Sequence, residues 1–94
     1  MPYVGARHSQ LENAVKLILT ITRSEDADHL INALIEHEFR ATRINSAGGF
    51  LRRGNATILV GVADEYTDDV VNLIRDYTAH ANVFVLNVGR FERL

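Results

Sequence analysis

The sequence predicts an α+β fold in which two helices cover one face of a four-stranded antiparallel sheet. Three observations carry that expectation: four apolar, β-branched-rich runs of strand length, two apolar stripes at helical spacing lying between them, and acidic clusters where each helix should begin. With 94 residues the chain is a single small domain, and a domain of this size buries only about 60–65% of the surface its unfolded chain exposes. It has no cysteine, which excludes disulfide stapling and thiolate metal sites and leaves self-association as the remaining support for a thin core.

Residues 1–12 show no sustained periodicity and read as a flexible N-terminal arm or an expression remnant, so residues 13–94 form the folded domain. From Val15 the pattern alternates, with Val15, Leu17, Leu19 and Ile21 on one face and Lys16, Ile18, Thr20 and Thr22 on the other. Ile18 on the second face predicts a central strand. Ser24 is then expected to cap a helix whose first residues, Glu25, Asp26 and Asp28, set negative charge against the positive end of the helix dipole. Ala27, Leu30, Ile31, Leu34 and Ile35 make its buried stripe, and Glu36, His37 and Glu38 end it.

Residues 39–46 alternate as a second strand, 48–55 form the connection, and 56–62 form a third strand. Thr67 is expected to cap a second helix with Asp68 and Asp69 in its first turn and Val70, Val71, Ile74 and Tyr77 as its buried stripe. Residues 83–88 form the last strand. The order β-α-β-β-α-β is the split arrangement of a ferredoxin-like sandwich. Its helices lie on one face only, so Ile18, Ile44 and further apolar strand positions would form an exposed patch of the kind that marks an interface.

The net charge of −2 argues against a general nucleic-acid binder, which needs a broad positive field. No window reaches the roughly 20 apolar residues that span a bilayer, and no secretory signal precedes the domain, so the cytoplasm is the expected location. Local positive charge concentrates in one place. The run Phe39-Arg40-Ala41-Thr42-Arg43 followed by residues 48–55 carries four arginines (Arg40, Arg43, Arg52, Arg53) and three glycines (Gly48, Gly49, Gly54). Guanidinium groups bind phosphate through paired charge-assisted hydrogen bonds, and glycine lets backbone N–H groups approach an anion, so a phosphate-bearing ligand is expected.

Each of these residues also has a plainer reading. Arg43, Arg52 and Arg53 suit a solvated hairpin, the glycines suit a turn, and Asn55 can cap it. Arg40 is distinguished by its neighbours, since Phe39 and Ala41 must point to one face and Arg40 to the other. Phe50 at an exposed tip must pack on a base, on a neighbouring subunit or on nothing. His8, His29, His37 and His80 lack metal-ligand spacing, no serine stands in a recognisable arrangement with histidine and carboxylate, and neither a metal, a cofactor nor an enzymatic activity is expected.

Taken together, Phe39-Arg40-Ala41-Thr42, Gly48-Gly49-Phe50-Leu51-Arg52, Gly54-Asn55 and Gly61-Val62 resemble the cyclic-di-AMP receptor family of PII-like proteins, with similarity running from about Ala14 to Phe91. The resemblance implies a PII-like homotrimer of non-catalytic signal receptors, with a small nucleotide in each cleft between subunits and an unidentified protein target. It also implies that Arg40 and Thr42 bind phosphate or sugar, that Gly49, Phe50 and Leu51 pack on a base, and that Asn55 and Gly61 complete the pocket. Arg43, Arg52, Arg53 and Glu38 are accessory candidates.

Two departures from the family pattern bear on the ligand. Only Thr78-Ala79-His80-Ala81-Asn82 separates the second helix from the last strand, where the family usually has a long loop. Glu38 stands where the family tends to have asparagine, and its carboxylate would either repel a phosphate or pair with Arg40 or Arg43. A shorter, more open site leaves three readings in play: cyclic-di-AMP, another nucleotide, or a ligand-free trimer acting as a structural adaptor.

Overall fold

The computed structural model describes residues 15–44, 54–92 and 94; the expected arm over 1–12 and the stretch 45–53 lie outside the described residues. Strand β1 (Val15–Arg23) runs straight into helix α1 (Ser24–Glu36), followed by β2 (Arg40–Ile44), β3 (Asn55–Ala63), a 3-10 turn (Asp64–Tyr66), helix α2 (Thr67–Tyr77) and β4 (Ala81–Asn87). The sheet order is β2-β3-β1-β4 with every neighbouring pair antiparallel. This is the ferredoxin-like order, with β1 and β3 central.

Between the helices and the sheet lies the core. Ile18, Ile58, Val60, Val62, Leu30, Leu34, Val70 and Ile74 are all buried there. Ile18 faces the helices and stands opposite Val60 in register, so the expectation that it would lie on the uncovered face is corrected. The helices cover the Lys16–Thr22 set, and the Leu17, Leu19 and Ile21 set faces away. The physical reason lies in β3, whose Ala56, Ile58, Val60 and Val62 are buried and pair with Thr22, Thr20, Ile18 and Lys16. Residues directly opposite share a face, so Thr20 and Thr22 are carried into the core with them.

The helix starts also differ from expectation. Arg23 and Tyr66, not Ser24 and Thr67, occupy the cap positions, and no side chain bonds the first turn of either helix. Ser24 is instead held by its own backbone, whose N–H donates to the Gly54 carbonyl at 2.7 Å and so extends the β1–β3 pairing into the helix. Gly54 takes φ +90°, a left-handed conformation that costs glycine nothing and other residues a strain. The acidic first turns are present, with Glu25 and Asp26 in α1 and Asp68 and Asp69 in α2. Both stripes are narrower than the spacing implied. Ile35 is 55% exposed and Tyr77 44% exposed, each the last residue of its expected stripe, while Ala33 is buried in α1.

Helix α1 ends in a Schellman motif that decides how the next strand is presented. The Phe39 N–H donates to the Leu34 carbonyl at 2.9 Å and the Glu38 N–H to the Ile35 carbonyl at 2.9 Å, with Glu38 left-handed at φ 67°. Phe39 then packs beside Leu34 in the core and edge-on against Tyr66, ring centroids 6.0 Å apart. His37 supports the same terminus, its Nδ1–H donating to the Ala33 carbonyl at 2.8 Å.

A non-glycine residue in the left-handed region carries a strain of about 1–2 kcal/mol. Glu38→Gly is therefore expected to raise stability by roughly 0.5–1 kcal/mol, since glycine offsets part of the relieved strain by its greater freedom when unfolded. Thermal denaturation checks this, and an unchanged or lowered midpoint would count against the strain.

Candidate ligand-binding site

Phe39 is buried and Ala41 packs against the core, so alternation along β2 sends Arg40 and Thr42 to the opposite face of the sheet, which no described helix covers and where both are exposed. Arg40 stands opposite Gly61 on β3, and Gly61 stands opposite Leu17 on β1. A Cβ added at Gly61 would meet nothing within 4 Å, so glycine leaves a gap in the sheet surface beside the guanidinium. Around that gap Val15, Leu17, Arg40, Thr42, Leu59, Gly61, Val88 and Phe91 line a groove of about 440 Å³.

Chemically, the groove is an apolar surface with one cation. Among the described residues no carboxylate lines it, and Arg40 makes no ion pair with any of them. A guanidinium beside apolar walls and without a counterion among the described residues is suited to a phosphate, with Thr42 supplying a hydroxyl and Phe91, 41% exposed, a flat ring.

Of the other sequence-predicted residues, Arg43 alternates to the helix side and pairs with Asp28 of α1 at 3.2 Å. Glu38 pairs with neither Arg40 nor Arg43 among the described residues. Its left-handed turn puts it with Phe39, Tyr66, Asp69 and Leu73 in a separate hollow at the end of α1, and its Oε1 is buried without a hydrogen-bond partner. Gly49, Phe50, Leu51, Arg52 and Arg53 lie outside the described residues. Asn55 begins β3, six residues from Gly61 along the same strand, which at ~3.3 Å per residue puts roughly 20 Å between them.

The uncovered face is apolar between these two ends. Leu19 stands opposite both Leu59 and Phe84, and Leu17 stands opposite Leu86; Phe84 is 50% exposed and Leu86 45% exposed. Sequence reasoning missed Leu17, Leu19 and Leu59 as site residues because it set Ile18 on this face, although their two-residue spacing marks a common side.

The α2–β4 connection is three residues, Thr78 to His80, shorter than expected because Ala81 and Asn82 already belong to β4. It is held by the Thr78 hydroxyl, which lies 2.9 Å from the Thr22 hydroxyl and donates to Asp26 Oδ2 at 3.3 Å, while the His80 N–H donates to Thr78 Oγ1 at 3.4 Å. Among the described residues no helix is long and apolar enough to cross a membrane.

Comparison with known proteins bears on both fold and family. Residues 15–90 match the family model described as cyclic-di-AMP receptor. A functionally unknown protein from Pediococcus pentosaceus is 31% identical, with a TM-score of 0.76 over 86% of this chain and 98% of its own. A nitrogen regulatory PII-like protein from Thiomonas intermedia, solved with ADP, AMP and bicarbonate, is 13% identical, with a TM-score of 0.65 over 80% of this chain and 92% of its own. CutA1 from Oryza sativa shares the fold at 7% identity, with a TM-score of 0.65 over 87% of this chain and 86% of its own. The chain belongs to the cyclic-di-AMP receptor family, on a PII-like, ferredoxin-like fold.

Proposed function

We propose that the protein is a non-catalytic signal receptor that binds cyclic-di-AMP in the clefts between copies of a homotrimer and passes the signal to a protein target. The observation that carries this reading is Arg40, an arginine without a described counterion in a groove that no described carboxylate lines, beside the gap at Gly61. Membership of a cyclic-di-AMP receptor family supports the ligand.

Two features support a cleft between copies over a pocket within one. The uncovered apolar face needs a cover, and a Leu or Phe side chain gains about 1.5–3 kcal/mol on full burial. Arg40 and Asn55, both implied ligand contacts, lie too far apart for one small molecule to bridge within a chain, whereas the Arg40 end of one copy can meet the Asn55 end of another. The three-residue α2–β4 connection favours a second reading, in which the same trimer is open enough to take a different nucleotide or none.

Light scattering is expected to return three times the chain mass. Calorimetric titration is expected to give saturable heat with cyclic-di-AMP at one site per subunit, and none with cyclic-di-GMP, ATP or AMP. Heat with one of those instead would move the assignment to that nucleotide, and no heat with any would favour the adaptor reading.

Arg40→Glu is expected to weaken binding by at least the 10- to 150-fold that corresponds to a lost charge-assisted contact of about 1.5–3 kcal/mol, with the oligomer unchanged. Gly61→Leu, which fills the gap, is expected to abolish the same heat while circular dichroism stays that of the parent. Unaltered binding in either variant would remove this groove from the site.

A further inference from the structure

The uncovered sheet face carries an arginine at each end. Arg40 stands at one, and at the other Arg23 closes β1 directly opposite Asn55 of β3. Residues directly opposite on antiparallel strands have Cα atoms about 5 Å apart, so whatever reaches Asn55 also reaches Arg23. The short α2–β4 connection brings His80 to the same place, and β4 adds Asn82, which pairs with Ile21. These residues line a groove of about 380 Å³ that, among the described residues, no carboxylate lines. Glu25, Asp26 and Asp76 line an adjoining hollow that Arg23 and His80 also border, and there Asp26 is engaged by the Thr78 hydroxyl. The side chains of Arg23, Asn55, His80 and Asn82 make no hydrogen bond or ion pair with any described residue. Four polar side chains rich in N–H donors therefore converge on one hollow with their bonding capacity unused.

We propose that Arg23 and His80 form a second phosphate-binding subsite, supplied to each cleft by the copy that contributes Asn55. The inference rests on the inter-copy ligand site proposed above and deepens it. A cyclic dinucleotide carries two phosphodiesters on opposite sides of its ring. Arg40 and Thr42 of one copy hold the first, Arg23 and His80 of the next hold the second, and the Asn55 and Asn82 amides meet the polar edge of a base. Such a pair of cationic subsites selects ligands with two separated phosphates over a mononucleotide with one, and His80 takes on the role of closing a site that the short connection otherwise leaves open.

Calorimetric titration of full-length wild-type protein, Arg23→Gln, His80→Gln and the double variant with cyclic-di-AMP, at low and moderate salt and with AMP alongside, tests this. Arg23→Gln is expected to weaken cyclic-di-AMP about tenfold or more, and the double variant further, with trimer mass and thermal midpoint unchanged. The variants should also lose part of the salt dependence, since one fewer exposed charge pair is left to screen. Wild-type binding of cyclic-di-AMP with both Arg23→Gln and the double variant within about twofold of it would overturn the subsite and leave the Arg40 site standing. A wild-type protein that does not bind cyclic-di-AMP overturns both.

Discussion

Two helices can cover only one face of a four-stranded sheet, and in this chain both central strands carry large apolar side chains on both faces. That mismatch is the constraint from which the other properties follow. Ile18 and Val60 go under the helices and form the core, which leaves Leu17, Leu19, Leu59, Phe84 and Leu86 on the far side, where no described helix covers them. A domain of this size has little stability to spare. Covering that face by other copies would add apolar burial at the centre of each sheet and bring the polar groups at its two ends, Arg40 and Arg23, to the edges of the contact.

Placement of the ligand groups depends on a few backbone features that set which way each strand faces. Strand side chains repeat every two residues, so a slip of one would turn Arg40 into the core and Phe39 out of it. The Schellman turn at Glu38 prevents this by anchoring Phe39 to Leu34 before β2 begins. At the other end of the sheet, Gly54 hands its carbonyl to Ser24 and fixes the Arg23–Asn55 pair, while Thr78 bonds Thr22 and Asp26 and holds the short connection that carries His80. Core packing and the placement of the proposed ligand groups thus share the same turns.

Most of the element order was legible in the sequence because helical and strand periods differ clearly, and the acidic helix starts marked the boundaries. The direction of β1 was not, since Leu17, Leu19 and Ile21 are as apolar as Ile18 and only pairing with β3 decides which set meets the helices. Ser24 and Thr67 looked like caps because hydroxyl residues usually are, yet the Ser24 N–H is satisfied by the neighbouring strand through Gly54, and the Thr67 N–H by the Asp64 carbonyl of the 3-10 turn before it. Arg40 was legible from Phe39 and Ala41 on either side of it. The opposite facing of Arg43 follows from the same alternation, three residues on. Arg23 reads in the sequence as an ordinary charge before a helix, and only its register with Asn55 makes it a candidate.

The central claim is that each ligand site is composite, with Arg40 from one copy and Asn55 from another. Mixing two variants that have each lost binding tests it most directly: Arg40→Glu and Asn55→Ala chains, unfolded together and refolded, then titrated with cyclic-di-AMP. Composite sites predict that the mixture regains binding which neither variant shows alone, because some clefts pair an intact Arg40 with an intact Asn55. A mixture as silent as its components would contradict the account, since sites complete within one chain cannot be repaired by a neighbour.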